Sequence, residues 1–286
     1  MIAINQHIDN RRLPCALPLD LSIIIVTYNS VGAIGTCLSS IAPDLRPCIL
    51  IVDNCSTDGT VDIVNEFRVR CITTSRNFGY GQAANIGAKV ASTRYISFLN
   101  PDCEPDRSYF HRGVKTLHDH PGNCAVPRRV GRKNIETRGI QPGYSRMKLF
   151  FDMIITNYGL PRLPRYLNNL PGYHDHSWSW PHGAGFFIER RLFLDMHGFC
   201  QRYFMYMEDV ELGRELYRRG GRVIEFDSTL LHLETEGSTI SARDRCRHLN
   251  TARCLYARQY HGRLLACILK MIALPAEARH LRRNKG

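Results

Sequence analysis

The chain has 286 residues, of which 44% are hydrophobic and 22% charged, a composition that fits a folded globular protein with one large or two modest domains. No apolar run is long enough to span a bilayer, and residues 1–21 lack the central apolar block of a secretory signal. The eleven cysteines form no Cys-x-x-Cys pair, which argues against a disulfide framework or a zinc site and favours reduced thiols in the cytoplasm.

The net charge of +12 is concentrated near the C-terminus. Residues 241–286 contain eleven Lys and Arg against Asp244 and Glu277, a net charge of +9, whereas the rest of the chain is nearly balanced. Nucleic acid, anionic lipid and a phosphorylated acceptor are all eligible partners for such a segment. The segment lacks the regular aromatic residues of a nucleic-acid stacking platform, so we expect no nucleic-acid partner.

The first hundred residues alternate between apolar strands and helices. Strands are predicted from Leu21, at 48–53, at 70–74 and at 95–99, and the stretches between them have helical spacing. Continuous β-branched runs of this kind are typical of strands covered on both faces. The alternation predicts an α/β fold with right-handed crossovers, a mainly parallel Rossmann-like sheet and flanking helices.

Beyond residue 119 the pattern is weaker. We expect residues 119–180 to be irregular, with a lid or an acceptor loop around Met147–Leu170. Regular structure is predicted again as a turn and strand at 183–188, helices near 191–197 and over 205–219, and a strand at 223–226. The simplest organisation is one domain at 18–240 followed by a basic helical extension at 241–286.

Polar residues follow four of the predicted strands. Each group alone also fits a turn or a helix cap, but parallel strands bring their carboxyl ends to one crevice. There Asp53 would accept the N–H of a pyrimidine ring, Tyr28 would stack on the ring, and Gly79 would allow close backbone approach. The groups are Thr27-Tyr28-Asn29, Asp53-Asn54, Arg76-Asn77 and Asn100-Pro101-Asp102.

Carboxylates supply candidates for metal binding and base catalysis. Asp102 suits a hard divalent cation shared with phosphate oxygens, or else a helix cap. Glu208 and Asp209 begin a helix, where acidic residues complement the dipole, but Asp209 lies on the stripe of Leu212 and so points inward as a plausible general base. His232 is either a satisfied core histidine or a third metal contact.

Six sequence blocks, in order from about residue 21 to 240, together resemble family 2 glycosyltransferases of the GT-A fold, and most closely the bacterial rhamnosyltransferase-like branch. The blocks are Ile-Val-Thr-Tyr-Asn, Val-Asp-Asn-Cys-Ser-Thr-Asp-Gly-Thr, Asn-Phe-Gly-Tyr-Gly-Gln-Ala-Ala-Asn, Leu-Asn-Pro-Asp, Gly-Ala-Gly-Phe-Phe-Ile and Tyr-Met-Glu-Asp-Val-Glu-Leu.

The resemblance implies a metal-dependent, inverting transfer of a sugar to a hydroxyl group. Asp102 would take the place of the metal-binding aspartate of the Asp-x-Asp motif, with His232 near the metal, Mg²⁺ or Mn²⁺. Asp209, with Glu208, matches the Glu-Asp motif that supplies the base. Nucleotide-sugar contacts are expected from Thr27, Tyr28, Asn29, Asp53, Asn77, Gly79, Asn100, Gly183 and Ala184.

On the same resemblance, the expected donor is dTDP-rhamnose, with UDP-sugars second. The expected acceptor is a cell-surface glycan or a polyprenyl-diphosphate-linked saccharide. A catalytically silent nucleotide-sugar-binding protein is the main alternative. A dehydrogenase is disfavoured, because the glycine after Gly79 and Gly81 comes at Gly87 and the next strand ends at Asn100 rather than at an acidic residue.

The C-terminal extension has the composition of an interfacial helix. An apolar block at 264–272 is too short to span a bilayer and is flanked by basic residues. We expect one helix ending near Leu274, because Pro275 follows, then a frayed basic end. The segment would dock on an anionic membrane from the cytoplasmic side, or else pack on the catalytic domain with a solvated end.

Overall fold

The computed structural model describes residues 19–132, 135–160, 166–233 and 240–283. The predicted domain start at residue 18, residues 161–165 of the predicted loop and residues 284–286 lie outside these ranges. The strands are β1 (Leu21–Thr27), β2 (Ile49–Asp53), β3 (Arg70–Thr73), β4 (Tyr95–Leu99), β5 (Cys103–Pro105), β6 (Cys124–Arg132), β7 (Ile135–Arg138), β8 (Ile140–Tyr144), β9 (His174–Pro181), β10 (Gly185–Glu189) and β11 (Val223–His232). The helices are α1 (Val31–Ser40), α2 (Thr60–Glu66), α3 (Tyr80–Val90), α4 (Tyr109–Asp119), α5 (Arg146–Tyr158), α6 (Arg190–Asp195), α7 (Glu208–Arg218), α8 (Ala242–Tyr260) and α9 (Arg263–Arg283), with a 3₁₀ helix at Pro43–Cys48.

Strand β1 lies inside the sheet and is buried on both faces. Ile23 and Ile25 pack in one apolar cluster with residues of α1, whereas Ile24 packs in another with the alanines of α3. Close approach of α3 depends on Gly87, where a Cβ would lie 2.6 Å from Ile24 Cγ2. This two-sided burial explains why the strand is apolar at almost every position.

The main sheet has the strand order β3-β2-β1-β4-β10-β6-β11-β5, with β7 beside β6. The first four strands in that order are parallel, as predicted. From β10 onward the sheet is mixed, because β10 is antiparallel to both β4 and β6, whereas β6 and β11 are parallel. The carboxyl ends of β1, β2 and β4 therefore meet at one edge, next to the turn that precedes β10.

The prediction that residues 119–180 are irregular is wrong. The segment contains β6, β7, α5 and the two-stranded sheet of β8 and β9. Helix α5 begins at a capping residue, Ser145, whose side chain accepts from Lys148 N, and ends at Gly159 with φ +66°. Strand β9 is mostly polar and only partly buried, so its sequence has no clear strand periodicity, and its place depends on packing against other elements.

Helices α8 and α9 pack against the rest of the molecule. Leu269 and Ala273 of α9 are buried in a cluster that also contains Met153 of α5 and Trp178 of β9. The proposed division at residue 240 falls between β11 and α8, although both sides of it contribute to this cluster.

The predicted helix end near Leu274 is wrong, because α9 continues through Pro275 to Arg283. Proline removes the hydrogen bond to the carbonyl group four residues earlier. That residue, Met271, is on the exposed side of the helix, where water can satisfy the carbonyl group, so the interruption is tolerated. Over the described parts of the chain, no helix is both long and apolar enough to cross a membrane.

Candidate active site

A cavity of about 580 Å³ opens at the carboxyl edge of β1, β2 and β4. Helix α7 contributes its first residues to the wall, and α8 contributes Arg245 and Leu249. Ten of the thirteen predicted site residues line it: Tyr28, Asn77, Gly79, Asn100, Asp102, Gly183, Ala184, Glu208, Asp209 and His232.

Thr27, Asn29 and Asp53, the other three, are not among the lining residues and instead hold the loops beside the cavity. Asp53 is 1% exposed, and its Oδ1 accepts from Thr27 Oγ1 at 2.8 Å and from Ser56 Oγ at 2.5 Å. Asn29 Oδ1 accepts from Thr57 N at 2.8 Å, and Asn29 N donates to Ser56 Oγ. These hydrogen bonds join the loop after β1 to the loop after β2, so the three residues stabilise the two loops. Direct contact between these residues and a nucleotide is a proposal.

Asn54 organises the turn that carries Asn77 and Gly79. Its Nδ2 donates to Asn77 Oδ1 at 2.8 Å and to Gly79 O at 3.2 Å, and its Oδ1 accepts from Phe78 N. Gly79 has φ +85°, and a Cβ there would collide with the carbonyl group of Phe204. Glycine is therefore required both for the backbone conformation and for the close approach of the 204–207 segment.

Asp102 and His232 form a candidate metal centre at the point where β5 pairs with β11. His232 lies opposite Cys103 in this antiparallel pair, and its Nε2 is 3.3 Å from Asp102 Oδ1. Two neighbouring ligands at roughly 2.1 Å from an octahedral cation are about 3 Å apart, so this separation fits a shared divalent ion.

The sulfur of Cys103 also lies near this pair. One ligand atom from each of Asp102, Cys103 and His232 lies within 4.8 Å of the other two. Burial and the charge of Asp102 raise the pKa of the Cys103 thiol well above its ordinary value, which keeps the sulfur protonated. Its Sγ donates to Ala184 O at 3.4 Å. A hard cation prefers oxygen, so the Asp102 carboxylate fits it and the protonated Cys103 sulfur does not. The imidazole nitrogen of His232 fits a transition metal such as Mn²⁺ better than Mg²⁺.

Glu208 and Asp209 form the second acidic group of the cavity. They follow Tyr206 and Met207, whose φ values of +72° and +68° are in the left-handed region. Backbone strain of this kind persists only where the surrounding structure holds it, and it is frequent in active sites. A Cβ at Gly183 would lie 2.7 Å from Asp209 Oδ2, so glycine lets the turn before β10 approach the carboxylate.

The two carboxyl groups differ in proton affinity. Burial raises the pKa of both, and the charge of Asp209 raises that of Glu208 further. Backbone N–H groups of Val210 and Gly183 oppose the rise at Asp209, whereas Glu208 Oε2 is buried without a hydrogen-bond partner in the described part of the chain. Near neutral pH the shared charge therefore lies mainly on Asp209, the more exposed of the two.

The family model of glycosyl transferase family 2 matches residues 22–211. This range includes the loops and the acidic residues described above, and His232 lies beyond it. The chain belongs to this family.

One relative of the transferase matches over most of both chains. It is the N-acetylglucosaminyl-diphospho-decaprenol L-rhamnosyltransferase of Mycobacterium tuberculosis, 27% identical over 248 residues that cover 80% of each protein. A shorter match, 38% identical over 87 residues, covers 29% of this chain and 35% of the UDP-Glc:alpha-D-GlcNAc-diphosphoundecaprenol beta-1,3-glucosyltransferase WfaP of Escherichia coli.

A solved structure is similar to the transferase over nearly its whole length. The mannosyltransferase PcManGT of Pyrobaculum calidifontis, in complex with GDP-Man and Mn²⁺, has a TM-score of 0.56 and 16% identity, covering 92% of this chain and 74% of that chain. The likeness shows that the transferase has the GT-A fold, as the sequence predicted.

Several cavity residues were not singled out from sequence. Tyr144 and Trp180, from the β8–β9 sheet, form an aromatic wall with ring centroids 6.1 Å apart. The ring centroids of His182 and His232 are 6.0 Å apart. Burial lowers the pKa of His182 to about 4, so its imidazole is neutral near pH 7. Arg245 is the only Lys or Arg among the described lining residues. No short motif marks these residues, and only their spatial neighbours identify them.

Proposed function

We propose that the transferase moves a sugar from a nucleoside diphosphate donor to an acceptor hydroxyl group, with inversion at the anomeric carbon. The observation that carries this proposal is that one cavity is lined both by a candidate metal-binding pair, Asp102 and His232, and by a partly exposed carboxylate, Asp209. A binding protein needs only the first of these, whereas transfer to a hydroxyl group also needs a base.

In the proposed reaction, Asp209 accepts the proton of the acceptor hydroxyl group. The acceptor oxygen then bonds to the anomeric carbon, the bond from that carbon to the phosphate oxygen breaks, and its electron pair leaves on the nucleoside diphosphate. Mg²⁺ or Mn²⁺ held by Asp102 and His232 would neutralise the charge that develops on the diphosphate. Attack from the face opposite the leaving group inverts the configuration.

Glu208 acts in this proposal through Asp209. Because burial keeps Glu208 protonated, it adds no second charge beside the base. Burial, and not a charge on Glu208, raises the pKa of Asp209 so that it can take a proton. Tyr28, Asn77 and Gly79 would line the nucleoside end of the cavity. Asp53, which is buried beside that end, would hold the loops there through Thr27 and Ser56.

For the donor we propose dTDP-rhamnose first and a UDP-sugar second, with a lipid-linked or cell-surface saccharide as acceptor. The match over 248 residues supports this order, because that protein's name specifies L-rhamnose and a diphospho-decaprenol acceptor. The shorter match supports the second choice, because its name specifies UDP-Glc and a diphosphoundecaprenol acceptor.

We further propose a peripheral location on the cytoplasmic face of the membrane. A lipid-linked acceptor presents its sugar at the bilayer surface, and the net charge of +9 on residues 241–286 favours an anionic leaflet.

The test is a transfer assay with purified protein, Mn²⁺ or Mg²⁺, and a polyprenyl-diphosphate-linked N-acetylglucosamine acceptor. Parallel reactions contain dTDP-rhamnose, UDP-glucose or UDP-N-acetylglucosamine, and mass spectrometry of the lipid fraction detects the product. The expected result is one added deoxyhexose with dTDP-rhamnose. Hexose addition from UDP-glucose alone would reverse the order of donors, and tight nucleotide-sugar binding without any product would instead indicate a catalytically silent binder.

A further inference from the structure

Exposed apolar side chains are concentrated in two segments of the chain. Of the ten exposed large hydrophobic residues in the described ranges, seven belong to the segments 158–170 and 264–274. Soluble proteins rarely expose such groups together, and a cluster of them marks a contact surface. The seven are Tyr158, Leu160, Tyr166, Leu170, Leu264, Met271 and Leu274.

Helix α9 is apolar on two opposite faces. Leu269 and Ala273 face the core and are 0% and 4% exposed. Leu264, Met271 and Leu274 are 77%, 62% and 53% exposed, and their spacing places them on one stripe of the other face. An apolar helix face normally packs against a partner, and of the two apolar faces of α9 only the core-facing one has a partner within the described structure.

The end of α5 extends this stripe. Tyr158 of α5, itself exposed, donates its hydroxyl hydrogen bond to Ile272 O of α9 at 3.4 Å. The exposed end of α5 and the exposed stripe of α9 are therefore neighbours, and we call Tyr158, Leu264, Met271 and Leu274 the apolar stripe.

A basic groove adjoins the apolar stripe. The space between α8 and α9 has a volume of about 530 Å³ and is lined by Arg258, Arg263 and Lys270 with no acidic residue among its lining residues. The side chains of these three cations form no salt bridge and no hydrogen bond with the other described residues. Cysteine, alanine and leucine side chains form most of the rest of the lining.

We propose that the apolar stripe and the basic groove dock the transferase on an anionic phospholipid bilayer. Lipid matches both features, because acyl chains accept the apolar side chains while phosphate groups pair with the cations beside them. A nucleic acid would leave the stripe exposed to water. A second copy of the chain would bring the same cations together without acidic partners.

This inference rests on the proposed function, and it adds the surface through which the transferase would reach a lipid-linked acceptor. Helix α8 connects the two sites, because its early residues Arg245 and Leu249 line the catalytic cavity and Asn250 to Arg258 line the groove. Docking through α8 and α9 would therefore hold the cavity beside the bilayer surface, where the sugar of a lipid-linked acceptor lies.

The experiment measures binding of the full-length protein to vesicles of phosphatidylcholine with 0 or about 30% phosphatidylglycerol, at low and high salt. The apolar variant is L264S/M271S, and the charge variant is R263Q/K270Q. Both leave Leu269 in place, so the core contact of α9 is kept, and circular dichroism with a melting curve verifies folding. Tyr217→Ser, on the exposed face of α7, is the matched control for loss of an exposed apolar residue.

The expected result is binding to anionic vesicles that falls at least about tenfold in each double variant, is weakened by salt in the wild type, and is unchanged in the control. Transfer to a water-soluble acceptor should be unchanged in every variant, so a failure of docking and a failure of the proposed function give different results. The inference is overturned if the wild type ignores anionic vesicles at low salt. It is equally overturned if the control loses as much binding as the double variants, or if L264S/M271S converts a dimer to a monomer.

Discussion

Replacing Asp209 with asparagine should remove the base without disturbing the fold. Asparagine keeps an oxygen that can accept from Val210 N, as Asp209 Oδ1 does at 2.8 Å, but it cannot take a proton from the acceptor. Loss of a positioned general base typically lowers a rate by about 10²–10⁴-fold, which corresponds to about 3–5 kcal/mol of activation free energy. Donor affinity should stay within a few-fold of the wild type, because Asp209 acts on the acceptor.

The same variant should be more stable than the wild type at alkaline pH. Burial raises the pKa of Asp209 from 3.8 to about 6, so the folded protein binds this proton more tightly than the unfolded chain does. The protonated carboxyl group of Asp209 therefore contributes to the free energy of unfolding. This contribution is fully present below about pH 4 and is lost as the pH rises through about 6. At pH 8 the charged carboxylate then costs on the order of 3 kcal/mol, which asparagine avoids.

Two measurements test this reasoning together. Steady-state transfer and donor calorimetry give the change in kcat and in donor Kd, while chemical denaturation at pH 5 and pH 8 gives the free energy of unfolding. Asp62→Asn, at an exposed position of α2, is the matched control and should change neither. A kcat within tenfold of the wild type would refute the assignment of the base. A variant less stable than the wild type at pH 8 would refute the burial argument.

Two further predictions concern the donor side of the cavity. Asp102→Asn and His232→Ala should each abolish the dependence of nucleoside diphosphate binding on Mn²⁺, measured by calorimetry, and metal-independent binding by the wild type would contradict the metal centre. Gly79→Ala should destabilise the protein by roughly 1–3 kcal/mol and weaken donor binding, because its Cβ would collide with the Phe204 carbonyl group. Gly122→Ala is the control, since Gly122 also has a positive φ, +77°, but no atom within 4 Å of the added Cβ; an equal loss in both variants would mean that φ alone is responsible.

The first half of the fold could be predicted because its sequence signal is local. Strands β1, β2 and β4 are buried on both faces, so nearly every residue in them is apolar, and the polar residues that follow mark where they end. Parallel pairing then brings those ends together. This is why Tyr28, Asn54 and Asp102 could be assigned to one cavity from the sequence.

The residues that sequence reasoning missed or misplaced depend on distant partners. Asp53 is the last residue of its strand, as predicted, but its carboxylate accepts hydrogen bonds from Thr27, at the end of β1, and from Ser56 of its own loop. The wall of Tyr144 and Trp180 comes from strands that are partly polar and short, and nothing in their own sequence shows which face they would present.

The sequence by itself determined the alternation of parallel strands and helices in the first hundred residues, the family, and the candidate residues for metal binding and base catalysis. These features depend on short, contiguous stretches of sequence, in which the run of apolar residues marks a buried strand and the polar residues after it mark a turn. Only the tertiary structure decided that α8 and α9 pack on the β8–β9 sheet and α5, and which side of α9 is left exposed. Leu269 and Met271 are both apolar, and only the position of their neighbours makes one a core residue and the other part of an exposed stripe.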